Sequence, residues 1–559
     1  MPRAIGCTAV RLRELPRLLD PLEAFESLRG DPYPWLLDSA TRCAGGVAGR
    51  DRYSFAGADP YLVLRAFSRR IELEGRRAVR PGIGLGREVV RGDPFDALQA
   101  LLPPASELEI QTLPGDSPPA LLPFVGGAVG YLGYELGEFV EPVASSGRND
   151  LELPDLCLLF VDRLLAFDHL EGRAFALGLG FAQSAAEAGQ RAELALAELQ
   201  EGVEEGVGKG LEKGLERGVE KRGASRSRAG RAAPAALLAL DSGNEALASR
   251  RRLLATEPPA SCSGHFSAGS YARAVEDIRE EIAAGNVYQA NLTQRLELAL
   301  EDAGARQGDA WSHYRVLREL SPAPFAAYLE LPEVAILSSS PERFIALDAE
   351  RGVESRPIKG TRPRGGSGAQ DAELAAELEH SEKDRAENLM IVDLVRNDLG
   401  RVCETGSIAV PELMTIEAYA SVFQMVSTVT GRLREEHHAV DLLRATFPPG
   451  SMTGAPKIAA MGIIDRLEPV RRGIYSGAIG YFDLRGGLDL SVVIRTLLLK
   501  KGRAYLHAGG AVVADSDPAA EYRESLDKAR ALIAALGAPA IEDRRRRRAP
   551  RGAPSPDPG

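Results

Sequence analysis

Cysteine is scarce in this 559-residue chain: Cys7, Cys43, Cys157, Cys262 and Cys403 lie scattered, with no C-x-x-C spacing. That argues against a cysteine zinc site or a disulfide framework and fits a reducing, cytoplasmic setting. Long apolar runs are also missing. Nothing approaches ~18 uninterrupted apolar residues, so no membrane association is expected. The N-terminus lacks the charged-then-apolar pattern of a signal peptide. Positive charge is in deficit: the formal net charge of −11 argues against nucleic-acid binding over the whole surface. The basic run Arg544–Arg548 is local to a Pro-rich tail, residues 539–559, whose composition predicts disorder. Glycines are plentiful in "PFVGGAVGYLGYELG" (123–137), but they follow neither the G-x-G-x-x-G nor the Walker spacing. Close backbone packing is the better reading of that segment.

What is present divides into four parts. Residues 1–183 read as strands and short helices, with "PYPWLLDSA" (32–40) and "RYSFAGADPYLVLRAF" (52–67) as strands. Residues 184–262 read as a low-complexity insertion or linker. Its "EGVEEGVGKGLEKGLERGVEKRG" sets Val203, Val207, Leu211, Leu215 and Val219 in i, i+4 register, but a glycine in each repeat costs about 1 kcal/mol against alanine. Residues 263–538 are regular again. A capped amphipathic helix, paired strands, a helical stretch ending near Gly400, a strand meander from "GIYSGAIGYFDL" to "RAYLHAGGAVVADS" and a closing helix follow in order. Residues 539–559 are the tail. Strands in the middle with helices around them predict an α+β class.

Several residue groups have the makings of chemistry. Asp384 and Glu387, and again Glu521 and Glu524, stand at i, i+3 on predicted helices, which puts each pair on one face. If the two faces meet, four carboxylates present hard-cation geometry. The plainer alternative is solvated helix faces paired with Lys383, Arg385 and Arg523. Glu342 ends a predicted strand, where partial desolvation can raise a carboxyl pKa and make it an acid; a salt bridge with Arg343 is the alternative. The loop "PPGSMTGAPK" (448–457) offers hydroxyls and backbone donors for a carboxylate. Arg495 falls inside an apolar strand, and a buried arginine needs an anionic partner. Lys359, in "ESRPIKGTRPRG", is either part of a solvated basic loop or an activated amine.

The segments "NVYQANLTQR", "SSPER", "PIKGTRPRG", "KDRAENLMIVDLVRNDLGRV", "FPPGSMTGAPK", "IYSGAIGY", "SVVIRT" and "AGGAVVADSDPAAEY" occur in the order seen in the chorismate-utilising enzymes, which the chain closely resembles over residues 266–538. The resemblance implies large antiparallel sheets packed in a sandwich with surrounding helices. It implies Mg²⁺ as cofactor and chorismate, a small dicarboxylic acid, as substrate. Carried over by position, Glu387 and Glu524 are implied as direct metal ligands, with Asp384 and Glu521 acting through water. Glu342 is implied as the acid that protonates a departing 4-hydroxyl. Arg495, Tyr475, Lys528, Gly509 and Gly510 are implied as contacts to substrate carboxylates, with Ser451, Thr453, Thr361, Gln289 and Gln424 as further substrate-binding positions. Leu37, Asp38 and Ser39 fall where relatives bind tryptophan, and a plain core strand is the equal alternative.

Two positions sort the branches of the family. Members that add water to chorismate carry a lysine base where this chain has Gln289, which disfavours isochorismate and salicylate synthesis. Anthranilate synthases resemble "PIAGT" where this chain has "PIKGT", the pattern of the branch that makes aminodeoxychorismate on the way to 4-aminobenzoate and folate. There Lys359 would form a covalent adduct with the ring, its amine kept neutral by burial and by neighbouring cations such as Arg362 or Arg364. Gln424 stands where many relatives have a histidine, and it cannot carry a proton. No G-x-C-x-G elbow surrounds any cysteine, so ammonia is expected from a separate glutamine amidotransferase. Anthranilate synthesis is the alternative activity. A catalytically inactive scaffold is the other, and the presence of all five acidic residues weighs against it.

Overall fold

The computed structural model describes residues 6–15, 19–40, 52–102, 110–111, 122–143, 145–219, 262–300, 310–419 and 422–537. The tail 539–559 and residues 220–261 of the expected linker lie outside the described residues. Among those described, no helix is long and apolar enough to cross a membrane.

Two large, mostly antiparallel sheets of 13 and 12 strands carry helices around them, as the α+β sandwich expectation requires. Alternation builds them: in Ala335–Ser340, Leu488–Val492 and Thr496–Lys500, apolar residues fill the interior that the sheets share with their helices. Each sheet contains strands from both ends of the chain. Trp35–Asp38 pairs with Phe325–Glu330 in one sheet, and Gly127–Leu132 pairs with Ala478–Asp483 in the other. The parts predicted as 1–183 and 263–538 therefore share their sheets.

The linker expectation is corrected at its start. Ala185–Val219 is one helix, and its Ala188, Ala192, Leu196, Leu199 and Val203 are buried, packed with the strands Cys7–Leu15 and Arg173–Ala182. Small residues at i, i+4 let this helix lie close: a Cβ on Gly180 would meet Ala188 O at 2.0 Å. The glycines of 123–137 serve packing as expected. Gly130, at φ +156°, lies centrally in Gly127–Leu132, and a Cβ there would meet the Cys157 carbonyl at 2.0 Å.

The expected meander is also corrected. Ala478–Asp483 and Leu488–Val492 belong to one sheet, whereas Thr496–Lys500 and Arg503–Val512 belong to the other. The chain crosses between sheets at 493–495. It crosses likewise at Pro341–Glu342, between Ala335–Ser340 and Arg343–Leu347. Pro341, Glu342, Ile494 and Arg495, at these crossings, line one cavity.

Candidate active site

A cavity of about 550 Å³ opens where the two crossings meet the helices Glu382–Gly400 and Pro518–Gly537. Ser381 stands outside the helical run and caps the first of these helices, its hydroxyl accepting from Asp384 N at 3.3 Å. The predicted single stretch is thus two helices, Gly368–His380 and Glu382–Gly400. In the closing helix Asp517 is the cap, accepting from Ala520 N at 2.7 Å. Ser516 beside it donates to Glu521 at 2.7 Å.

Glu342 sits at its sheet crossing, buried, with its pKa raised to about 7. Burial drives the rise, opposed by a hydrogen bond with Ser451, the charge of Lys359 and the Ile358 backbone. The alternative partner Arg343 is engaged elsewhere, with Asp489 at 2.8 Å and Glu354 at 2.6 Å.

Lys359 lies in the strand Ile358–Pro363 with its side chain only 10% exposed, so the solvated-loop reading fails. Gly360 beside it adopts φ +81°, and a Cβ there would meet Leu378 at 2.7 Å and Asp384 at 2.9 Å. Glycine therefore lets the acidic helix come close to the lysine strand. Burial lowers the Lys359 pKa, Glu387 (Oε2 3.8 Å from Nζ) opposes that, and Lys528 adds to the lowering. The expected cations do not take part. Arg362 is paired with Glu377 at 2.8 Å and Asp384 at 3.1 Å, and Arg364 with Asp371.

Asp384, Glu387 and Glu524 line the cavity; Glu521 is buried just behind. The lysines stand among them. Lys383 Nζ is 3.9 Å from Glu387 and 3.7 Å from Glu521, and Lys528 is 2.8 Å from Glu524. Burial, with Glu524 adding to it, raises Glu521. Burial is the largest influence on Glu524 as well, but Lys528, Lys383 and Lys359 together hold that group low. The two acidic faces do share one site, although no three acidic, histidine or cysteine side chains among the described residues gather in metal-binding geometry. All four donors are hard oxygens, and ammonium groups already sit between them. The set suits a hard divalent cation.

Arg495 is not within a strand as predicted; it stands at the second crossing with φ +49° and lines the cavity. Among the described residues no carboxylate lies within 4.0 Å of its guanidinium, and burial alone lowers its pKa. Lys528 also donates to Gly509 O at 2.9 Å. Tyr475, Ser451, Thr361, Gln424, Gly509 and Gly510 line the same cavity. Thr453 does not: its hydroxyl donates to Gly450 O at 3.3 Å, inside its own loop. Gln289 is fully buried and absent from the cavity wall.

Asn291 and His507 are among the wall residues that escaped the sequence reading. Asn291 follows Gln289 by two positions, and strand alternation puts its side chain on the cavity face, donating to Ser451 O at 2.8 Å. His507, two before Gly509, stacks on Tyr475 with ring centroids 4.9 Å apart. Burial and the nearby Arg295 and Arg472 lower its pKa well below the usual range, so it is neutral. Leu37, Asp38 and Ser39 line a separate cavity of about 190 Å³. Its polar groups are occupied, Asp38 by Arg318 at 2.5 Å and Tyr314 at 3.1 Å, and Ser39 by Tyr53 O at 2.9 Å.

Residues 91–534 match the family described as chorismate binding enzyme. The chain is 40% identical over 544 residues to the aminodeoxychorismate synthase of Streptomyces pristinaespiralis, covering 95% of this chain and 66% of that protein. It thus spans about two thirds of that relative's length. It is 40% identical over 413 residues to aminodeoxychorismate synthase component 1 of Klebsiella aerogenes, covering 74% of this chain and 77% of that one. Among solved structures, anthranilate synthase component I from Streptococcus pneumoniae superposes with a TM-score of 0.61 at 27% identity, over 88% of this chain and 94% of that one.

Proposed function

The chain belongs to the chorismate binding enzyme family and is a chorismate-utilising enzyme; from that premise we propose that it aminates chorismate at carbon 4 to give 4-amino-4-deoxychorismate. The observation that carries the reading is the buried Lys359 in the same wall as the proton-holding Glu342. An anthranilate synthase has no evident use for a buried amine at that place.

In the proposed course, the neutral Lys359 amine bonds to ring carbon 2 while the carbon 4 C–O bond breaks. Glu342 gives its proton to the departing oxygen, which leaves as water, and takes back the proton the new secondary ammonium loses. Ammonia then bonds to carbon 4, the carbon 2–lysine bond breaks, and Glu342 returns the proton the lysine needs while accepting one from the new amine. Two displacements replace one difficult substitution. Arg495 and Lys528 hold the substrate carboxylates, Arg495 gaining an anion that the described residues do not provide. Glu387 and Glu524, backed by Asp384 and Glu521, would hold Mg²⁺, whose charge would neutralise a substrate carboxylate and fix its orientation. The ammonia would come from a glutamine amidotransferase. The printed name "component 1" of relatives such as that of Klebsiella aerogenes supports a partner component.

Incubation with chorismate, Mg²⁺ and ammonium, followed by product mass analysis, tests the reading. An aminated product that keeps its enolpyruvyl group is expected. Anthranilate with released pyruvate, the alternative favoured by the likeness to the Streptococcus pneumoniae enzyme, would overturn it.

A further inference from the structure

Gln424 lies on the strand Val422–Arg432, directly opposite Thr361 in the sheet register, and lines the same cavity as Lys359 and Glu342. It is 2% exposed, and among the described residues its side-chain oxygen Oε1 has no hydrogen-bond donor. An unpaired buried acceptor costs about 1–3 kcal/mol, so the position is built for a donor that arrives from outside the protein.

We propose that the Gln424 carboxamide is the docking group for the ammonia molecule that attacks the ring, an inference that rests on the amination reading above. The chemistry of the wall favours a neutral acceptor for that role. Neutral ammonia carries N–H donors and one lone pair, and that lone pair must stay free to react. The carboxylates of Asp384, Glu387 and Glu524 would stabilise ammonium instead, whose lone pair is already taken by a proton. Lys528 and Arg495 only donate and have nothing to offer an N–H group. An amide oxygen accepts from ammonia without taking or giving a proton. The Gln424 side chain therefore holds the nucleophile in its reactive form beside the strand that carries Lys359.

Steady-state kinetics of the full chain with ammonium chloride as the varied substrate, at saturating chorismate, test this. For Gln424→Met the expected result is a KM for ammonium raised about 10-fold, the range of one lost hydrogen bond. Its KM for chorismate and its adduct mass with chorismate alone should stay unchanged. Gln424→Glu keeps the shape should the methionine variant misfold. There the expected result is a lower kcat with the pH optimum displaced upward, because a carboxylate at this place favours ammonium. An unchanged ammonium KM in Gln424→Met, or an equal rise in the chorismate KM, overturns the inference alone. No aminated product from the unsubstituted protein overturns the amination reading with it.

Discussion

Replacing Glu342 by glutamine separates what the buried acid costs the fold from what it gives the reaction. Its pKa in the folded chain is about 7 against an ordinary 4.5. Because the folded value is the higher one, the stabilising proton is fully in place below about pH 4.5 and is lost as pH rises through about 7. At about 1.4 kcal/mol per pH unit, the displacement corresponds to about 3 kcal/mol of stability withdrawn by alkaline pH. Glutamine keeps the shape and never ionises, so Glu342→Gln should unfold with a flatter pH dependence. Its advantage over the unsubstituted protein should grow by about 2.5 kcal/mol between about pH 5 and about pH 8.5. Urea unfolding at the two pH values measures the difference directly. Activity should move the opposite way: product formation by the unsubstituted protein falls above about pH 7, and the variant is nearly inactive throughout. Parallel pH dependences of stability in the two proteins would refute the raised pKa, and with it the proton-holding role.

Arg495→Met should raise the KM for chorismate on the order of 100-fold, the loss of one desolvated charge contact, while raising the unfolding midpoint, since a part-buried guanidinium with no carboxylate within 4.0 Å among the described residues disappears. A rise in KM with lower stability would mean the arginine has a structural partner. Lys359→Met should form no covalent adduct with chorismate by intact-protein mass, whereas the unsubstituted protein without ammonia should retain one. Lys457 donates to Asp398 at 2.7 Å and to Thr446 O at 2.8 Å, tying the Ser451 loop to the acidic helix in the interior. Lys457→Met alone should cost about 3–5 kcal/mol in chemical denaturation, and much of that should return in the double variant with Asp398→Asn.

Local chemistry carried a good part of the fold into the sequence. The strands at 32–40 and 52–67 appear as Trp35–Asp38, Tyr53–Gly57 and Leu62–Phe67, because alternation and turn residues are local signals. The expected capped helix is Ala268–Ala283, with Ser267 and Ser270 bonding reciprocally across its first turn. What escaped was set by distant contacts. The run "SVVIRTLLLKK" reads as one strand, since nothing local marks the residue at which the chain leaves one sheet for the other. The helix Ala185–Val219 packs on the strands Cys7–Leu15 and Arg173–Ala182 through Ala188 to Val203, a contact that nothing local announces. At the site, residue types were legible and their pairings were not. Arg362 and Arg364 neighbour Lys359 in sequence, yet they turn to Glu377, Asp384 and Asp371, while Lys528, from the far end of the chain, is the cation that acts on it.

That exchange of partners bears on how a chain of net charge −11 receives a dicarboxylate. Arg362 and Arg364 are neutralised by acids of their own and add little field to the cavity. Arg495, at the crossing between sheets, and Lys528, shared with Glu524, are cations that line the cavity itself. Lys359 stands between these and the acidic helix, and two effects of opposite sign decide its proton. Burial with Lys528 removes it, and Glu387 at 3.8 Å holds it. Because Glu387 is the largest influence retaining the proton, whatever positive charge draws that carboxylate away also frees the amine. The same side chain that suits cation binding is thus the one that most opposes the lowering of the Lys359 pKa.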